Sequence, residues 1–234
     1  MLLAMIKANT AARRRSRETH VGERMFEHEK LYRGDAALDQ VRDIHVTIAG
    51  VGALGSNLAD SLSRQGFANL RLIDFDRVEP KNLGTQIYST EDVGMLKVDA
   101  ARNAIFRNVE VEPDTISKKL TESNIKKLLR GSDLVVDAFD NSEARGLLFD
   151  FCAQNEIHCL HTGLAEGYGE VVWNDNYIVP DDSGVDLCDY PMARNLVQLV
   201  VAIAAEEIVD FAVSESPRKK NWSATLRDLS VREL

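Results

Sequence analysis

Short apolar runs recur along this chain, alternating with stretches whose apolar residues return every three or four positions. From His45 the runs are "HVTIAG", "NLRLIDFD", "VEVEP", "DLVVDAFD" and "IHCLHTG", and each predicts a strand. The spaced stretches predict helices over Ser56–Gln65, Met95–Phe106, Thr121–Leu129 and Ser142–Gln154, with Thr121 as a cap. Strands alternating with helices imply a mostly parallel sheet covered on both faces. The runs lack a period of two, as in strands buried on both sides. Ahead of this unit, residues 21–43 predict a helix anchored by Met25, Phe26, Leu31 and Leu38. After it, "YGEVVWNDNYIVP" predicts antiparallel strands, Asp181–Asp189 a loop, Pro191–Val213 a long helix and "WSATLRDLSV" an edge strand. Leu196–Phe211 is apolar nearly all round, so that helix is buried in the core or against a second copy. The expected fold class is α/β: a Rossmann-like, mostly parallel sheet with helices on both faces and a C-terminal antiparallel extension. It fills a single domain over residues 21–234.

Composition adds limits. The 234 residues allow one sizeable core, and 44% hydrophobic with 28% charged residues is ordinary for a globular protein. A net charge of −9 argues against a broad nucleic-acid-binding surface, so no nucleic-acid partner is expected. The longest apolar run, Leu196–Ala205, is interrupted by Gln198 and is too short to span a bilayer, so no membrane association is expected. Residues 1–20 are Arg-rich and read as a flexible basic arm; the order, apolar then basic, is the reverse of a secretory signal. Cys152, Cys159 and Cys188 form no CxxC pair, so no zinc is expected, and a reducing cytoplasmic setting fits them.

The candidate chemistry sits in "IAGVGALGSN", where a strand runs into Gly50-x-Gly52-x-x-Gly55 and a helix start. Gly50 permits the turn, Gly52 lets backbone approach a phosphate, and Gly55 lets helix and strand pack closely. Asp74 ends the next strand, where a carboxylate accepts ribose hydroxyls. To this point NAD and ATP are equal candidates. Asp74, Asp76, Glu79 and Asn82, then Lys97, and later Asp137-x-x-Asp140-Asn141 crowd the C-terminal ends of strands, where α/β sheets bind ligands. Carboxylates and an ammonium beside a phosphate loop suit a metal-bound triphosphate, and hydride transfer needs none of them.

The tokens "GVGALGSN", "LIDFDRVEPKNL", "VGMLKV" and "DAFDN", in that order, resemble the ThiF/MoeB/HesA family, the bacterial relatives of ubiquitin-activating enzymes. The short form with "GLAEGYGE" is most similar to small stand-alone ThiF-like proteins. The resemblance covers roughly residues 45–213. It implies ATP-dependent adenylation of the C-terminal glycine of a small ubiquitin-like or sulfur-carrier protein ending in Gly-Gly, by a homodimer using Mg2+. It implies Gly50, Gly52, Gly55, Asp74 and Asp76 around the nucleotide, Asn82 and Gln86 near the phosphates, Lys97 neutralising the leaving pyrophosphate and Asp140 on Mg2+. Two positions depart from the family. Its N-L-x-R-Q reads "NLGTQ" here, with Thr85 in place of a phosphate-binding arginine, and its R-Y-x-R-Q is nearest to "RMFEHE", with Glu27 in place of the second arginine. Arg13, Arg14, Arg15, Arg17 and Arg33 are candidate substitutes. Cys188 lies within a residue or two of the place where some relatives carry a transfer cysteine; Asp186 and Asp189 flank it, which works against a thiolate. The residues leave three rivals open: a nucleotide- or carrier-binding scaffold without activity, an NAD(P)-dependent oxidoreductase, and adenylation of a small molecule or tRNA base.

Overall fold

A computed structural model describes residues 24–181, 191–214 and 217–234. The expected basic arm, most of the Asp181–Asp189 loop and Cys188 lie outside them.

Five parallel strands form the body of the sheet: β1 (His45–Ala49), β2 (Asn69–Ile73), β3 (Asp114–Ile116), β4 (Leu134–Asp137) and β5 (His158–Ala165). The antiparallel strands β6 (Tyr168–Trp173), β7 (Trp222–Thr225) and β8 (Ser230–Glu233) extend it, giving the spatial order β3-β2-β1-β4-β5-β6-β7-β8. β1 thus has β2 on one side and β4 on the other, so the connections leave in opposite directions from this point. That reversal opens a crevice at the carboxyl ends of β1 and β4.

Alternate residues of the buried strands serve two cores. Val46, Ile48, Leu70, Leu72, Leu134 and Val136 pack on α2 (Asp35–Asp43), α3 (Ala53–Arg64), α4 (Lys97–Val109) and α7 (Arg194–Val213). Ala49, Ile73, Val135 and Cys159 pack on α5 (Ile125–Leu128) and α6 (Ser142–Gln154) on the other face. No described helix is long and apolar enough to cross a membrane.

α3 and α7 run parallel, both starting at the crevice. Near its start α7 lies so close over Gly169 that an added Cβ there would be 2.3 Å from Val200 Cγ2. Its last turns meet Trp173 and His158, at the opposite end of the sheet, through Phe211.

Several boundaries differ from the sequence expectation. The 21–43 helix is two helices, α1 (Glu27–Arg33) and α2, broken at Gly34 with φ 90. The "VEVEP" strand is not formed: Val109 is buried as the last inward residue of α4, and Glu110 ends that helix with φ 58. The short strand follows, at Asp114–Ile116. The Thr121 helix shrinks to α5, because Asn124 Oδ1 accepts from Thr121 N and closes a turn first. β6 stops at Trp173, where Asn174–Asn176 form a 3-10 turn that brings Tyr177 inward. The single expected edge strand is the hairpin β7–β8.

Candidate nucleotide site

The glycine loop occupies the switch point. Gly50 has φ 93 and its N–H donates to Ile73 O, while a Cβ on it would lie 2.7 Å from Ala138 O. A Cβ on Gly55 would lie 1.9 Å from Gly50 O. Both glycines are therefore required by packing. Gly52 is different: nothing lies within 4 Å of the place a Cβ would take. No protein contact calls for glycine there, and the open space adjoins the free amides at the start of α3. Open space beside helix N-terminal amides suits an anion such as a phosphate.

The loop is held from three sides. Asp74 accepts from Val51 N at 2.7 Å and from Asp76 N at 2.8 Å. Burial pushes its carboxyl up, against the pull of Lys97 and the two amides. Tyr88 donates its hydroxyl to Val51 O at 2.7 Å. Asn57, in the first turns of α3, donates to Ala53 O and to Thr85 O, and Gln198 of α7 donates to Asn57 Oδ1 at 2.8 Å. Tyr88, Asn57 and Gln198 carry no motif signal, and the sequence reading missed them as supports.

The remaining expected residues fall as follows. Lys97, the first residue of α4, is nearly buried and its Nζ is 2.9 Å from Asp76 Oδ2. Asn82 lies in the 3-10 turn Pro80–Gly84, where its Oδ1 caps Glu79 N at 2.8 Å. Gln86 is buried and its Oε1 has no hydrogen-bond partner among the described residues. Asp140 is exposed just past β4, and among the described residues its side chain accepts one hydrogen bond, from Asn141 Nδ2 at 3.4 Å. Asn141, accepting from Ala144 N, is the cap of α6, so capping makes no demand on Asp140. The structure thus gathers Asp74, Asp76 and Lys97 around the loop and leaves Asp140 with an exposed carboxylate at the same end of the sheet.

The other half of Asp137-x-x-Asp140 is structural. Asp137 is fully buried, with His161 Nδ1 at 2.8 Å, Arg145 Nη1 at 3.4 Å and Phe139 N donating at 3.0 Å. Burial works against the Arg145 cation, but Asp137 and Tyr177 outweigh it and hold its pKa above the ordinary value. His161 is a satisfied core residue: Tyr177 stacks on it at 3.6 Å and Asn174 Oδ1 meets its Nε2 at 2.7 Å. Together these contacts fix the turn that presents Asp140.

Cys152 and Cys159 are free, buried thiols. Arg33 is not available as a substitute phosphate ligand within this chain, because it pairs with Glu29 and, through both Nη atoms, with Glu206. Among the described residues no three His, Cys, Asp or Glu side chains gather into a metal cage. One carboxylate beside a phosphate cradle still suits Mg2+, which takes one or two carboxylates plus phosphate oxygens. Cavities of about 150 Å³ at Thr47, Arg71 and Ser132 and about 350 Å³ at Cys152, Trp173 and Lys219 lie away from this crevice.

Known proteins resemble this chain in sequence or in fold. Ubiquitin-like modifier-activating enzyme 5 of Drosophila virilis is 32% identical over 167 residues, covering 66% of this chain and 41% of that protein. The tRNA threonylcarbamoyladenosine dehydratase of Escherichia coli (strain K12) is 32% identical over 141 residues, covering 59% of this chain and 52% of that one. The chain therefore spans about half or less of the length of these curated relatives. Among solved structures, PaaA superposes with a TM-score of 0.74 at 22% identity, covering 93% of this chain and 73% of that one. E. coli MccB with ATP superposes with a TM-score of 0.73 at 17% identity, covering 85% and 66%. At those identities the likeness shows a shared fold. The ThiF family's sequence profile matches residues 28–215, and this chain belongs to the ThiF family.

Proposed function

We propose that this chain is an adenylyltransferase that binds ATP with Mg2+ and transfers AMP to the C-terminal carboxylate of a small carrier polypeptide. The observation that carries this reading is Gly52: an open glycine at a helix start, on the switch point, with Lys97 and the exposed carboxylate of Asp140 at the same end of the sheet. Two kinds of relative add support. One is named for activating a ubiquitin-like modifier, and MccB is known with ATP and with MccA.

In this reading the amides of α3 and the glycine loop hold the phosphates, Asp74 the ribose, and Gln86, whose amide can present oxygen or nitrogen, lies beside them. Asp76 and Asn82 shape the wall through their own hydrogen bonds. Asp140 would hold Mg2+, which supplies neutralisation of phosphate charge. The carrier's carboxylate oxygen bonds to the α-phosphorus as the bond to pyrophosphate breaks, giving an acyl-adenylate and pyrophosphate. Lys97 exchanges Asp76 for the departing pyrophosphate. Catalysis is positioning and charge neutralisation. The carrier is a ubiquitin-like or sulfur-carrier protein ending in Gly-Gly. The Cys188 thiolate takes the acyl group from the adenylate, with AMP leaving. The protein works as a cytoplasmic homodimer.

The test is carrier-dependent exchange of labelled pyrophosphate into ATP, using small Gly-Gly-ending proteins encoded nearby. Wild type should exchange and Asp140→Ala should not; near-normal exchange by Asp140→Ala overturns the metal assignment. Lys97→Ala should lower the exchange rate more than the affinity for ATP. Cys188→Ser should keep exchange and lose any thiol-linked product. The replacement of the family arginine by Thr85 favours one second reading, a nucleotide-binding scaffold, which ATP binding without exchange would support.

A further inference from the structure

Thr85 stands where the family carries a phosphate-binding arginine. We infer that Arg194, the first residue of α7, supplies the missing guanidinium to the nucleotide's β- and γ-phosphates. The inference rests on the ATP reading above. Its geometric basis is the junction of α3, α7 and residue 85. Asn57 holds Thr85 O with its amide nitrogen and receives Gln198 Nε2 on its amide oxygen, so α7 is docked against the segment that lost the arginine.

Arg194 precedes Gln198 by one helical turn and shares its face of α7. One turn is about 5.4 Å, directed toward the crevice because α7 starts there. Helical side chains lean toward the N-terminus, and from position 194 that direction leads toward the first turn of α3. Arg194 is exposed, and no hydrogen bond or ion pair holds it among the described residues. Neighbouring cations are engaged: Lys97 with Asp76, Lys81 with Glu79, Arg77 with Gly94 O. Carboxylates surround the site, at Asp74, Asp76 and Asp140, and a triphosphate adds further negative charge. An unpaired guanidinium one turn from the cradle, with the planar fork that suits phosphate oxygens, answers that charge.

Calorimetric titration of the full chain with Mg-ATP and with AMP tests this. Arg194→Ala should bind Mg-ATP about tenfold more weakly, as for loss of one charge-assisted contact, and AMP as wild type does. Arg194→Lys should recover part of the loss. Adding Thr85→Arg to Arg194→Ala should restore Mg-ATP affinity by returning the arginine to its family position. Unchanged Mg-ATP affinity in Arg194→Ala, or equal losses for ATP and AMP, overturns the inference. Wild type that binds no ATP overturns the adenylation reading first, and this inference with it.

Discussion

Three glycines in one loop do separate jobs. Gly55→Ala drives a Cβ into Gly50 O at 1.9 Å and should cost about 2–3 kcal/mol in a denaturant titration. Gly52→Ala meets open space at a φ of −82, so it should leave Tm nearly unchanged while removing the thermal shift produced by Mg-ATP. Equal destabilisation by both variants would refute the assignment of Gly52 to ligand. The motif was legible because its spacing encodes a backbone shape. Its supports were not: Tyr88, Asn57 and Gln198 act through contacts across long stretches of chain, and each looks like an ordinary polar residue in its own window. The thiols illustrate the reverse case. Burial pushes the Cys159 pKa well up, with Cys152 beside it adding to the shift. Both thiols are buried, so thiol labelling of the folded protein at pH 8 should reach neither Cys159 nor Cys152 until denaturant is added.

Glu207 joins elements that the sequence pattern treats separately. It is buried on α7 and accepts from Trp222 Nε1 at 2.7 Å, Trp173 Nε1 at 3.2 Å and Lys220 N at 3.2 Å. One carboxylate thus fastens β6 and the β7–β8 hairpin to the helix. Glu207→Ala leaves indole N–H groups buried without acceptors and should cost about 3 kcal/mol, seen as a fall of about 6–12 °C in Tm. A shift under 2 °C would mean that the hairpin docks by its apolar contacts alone. In sequence Glu207 looked like the polar end of an apolar helix, since partners 34 and 15 residues away leave no periodic trace. The same limit explains "VEVEP": two valines separated by a glutamate satisfy a strand pattern, and only Val109's place against the core assigns it to α4.

The parallel half of the sheet was readable because each strand–helix pair repeats the same hydrophobic rhythm. The order that places β1 between β2 and β4 was not written in that rhythm, because strand pairing joins residues far apart in the chain. That order matters for ligand choice. Mg-ATP at 100 times its dissociation constant should stabilise the whole chain by about 2.7 kcal/mol, and NAD should not. Stabilisation by NAD alone would return the protein to hydride-transfer chemistry.

In the proposed nucleotide site Lys97 and Arg194 would start from opposite states. Lys97 already holds Asp76 at 2.9 Å, so a phosphate only exchanges one anion for another. Added salt screens the pair that is lost and the pair that is formed, and the two effects largely cancel. Arg194 gives up no protein anion among the described residues, so its whole contribution is exposed to screening. The slope of ATP affinity against ionic strength should consequently flatten in Arg194→Ala and change little in Lys97→Ala. Ionic strength thereby distinguishes a cation already paired within the protein from one that pairs first with the ligand.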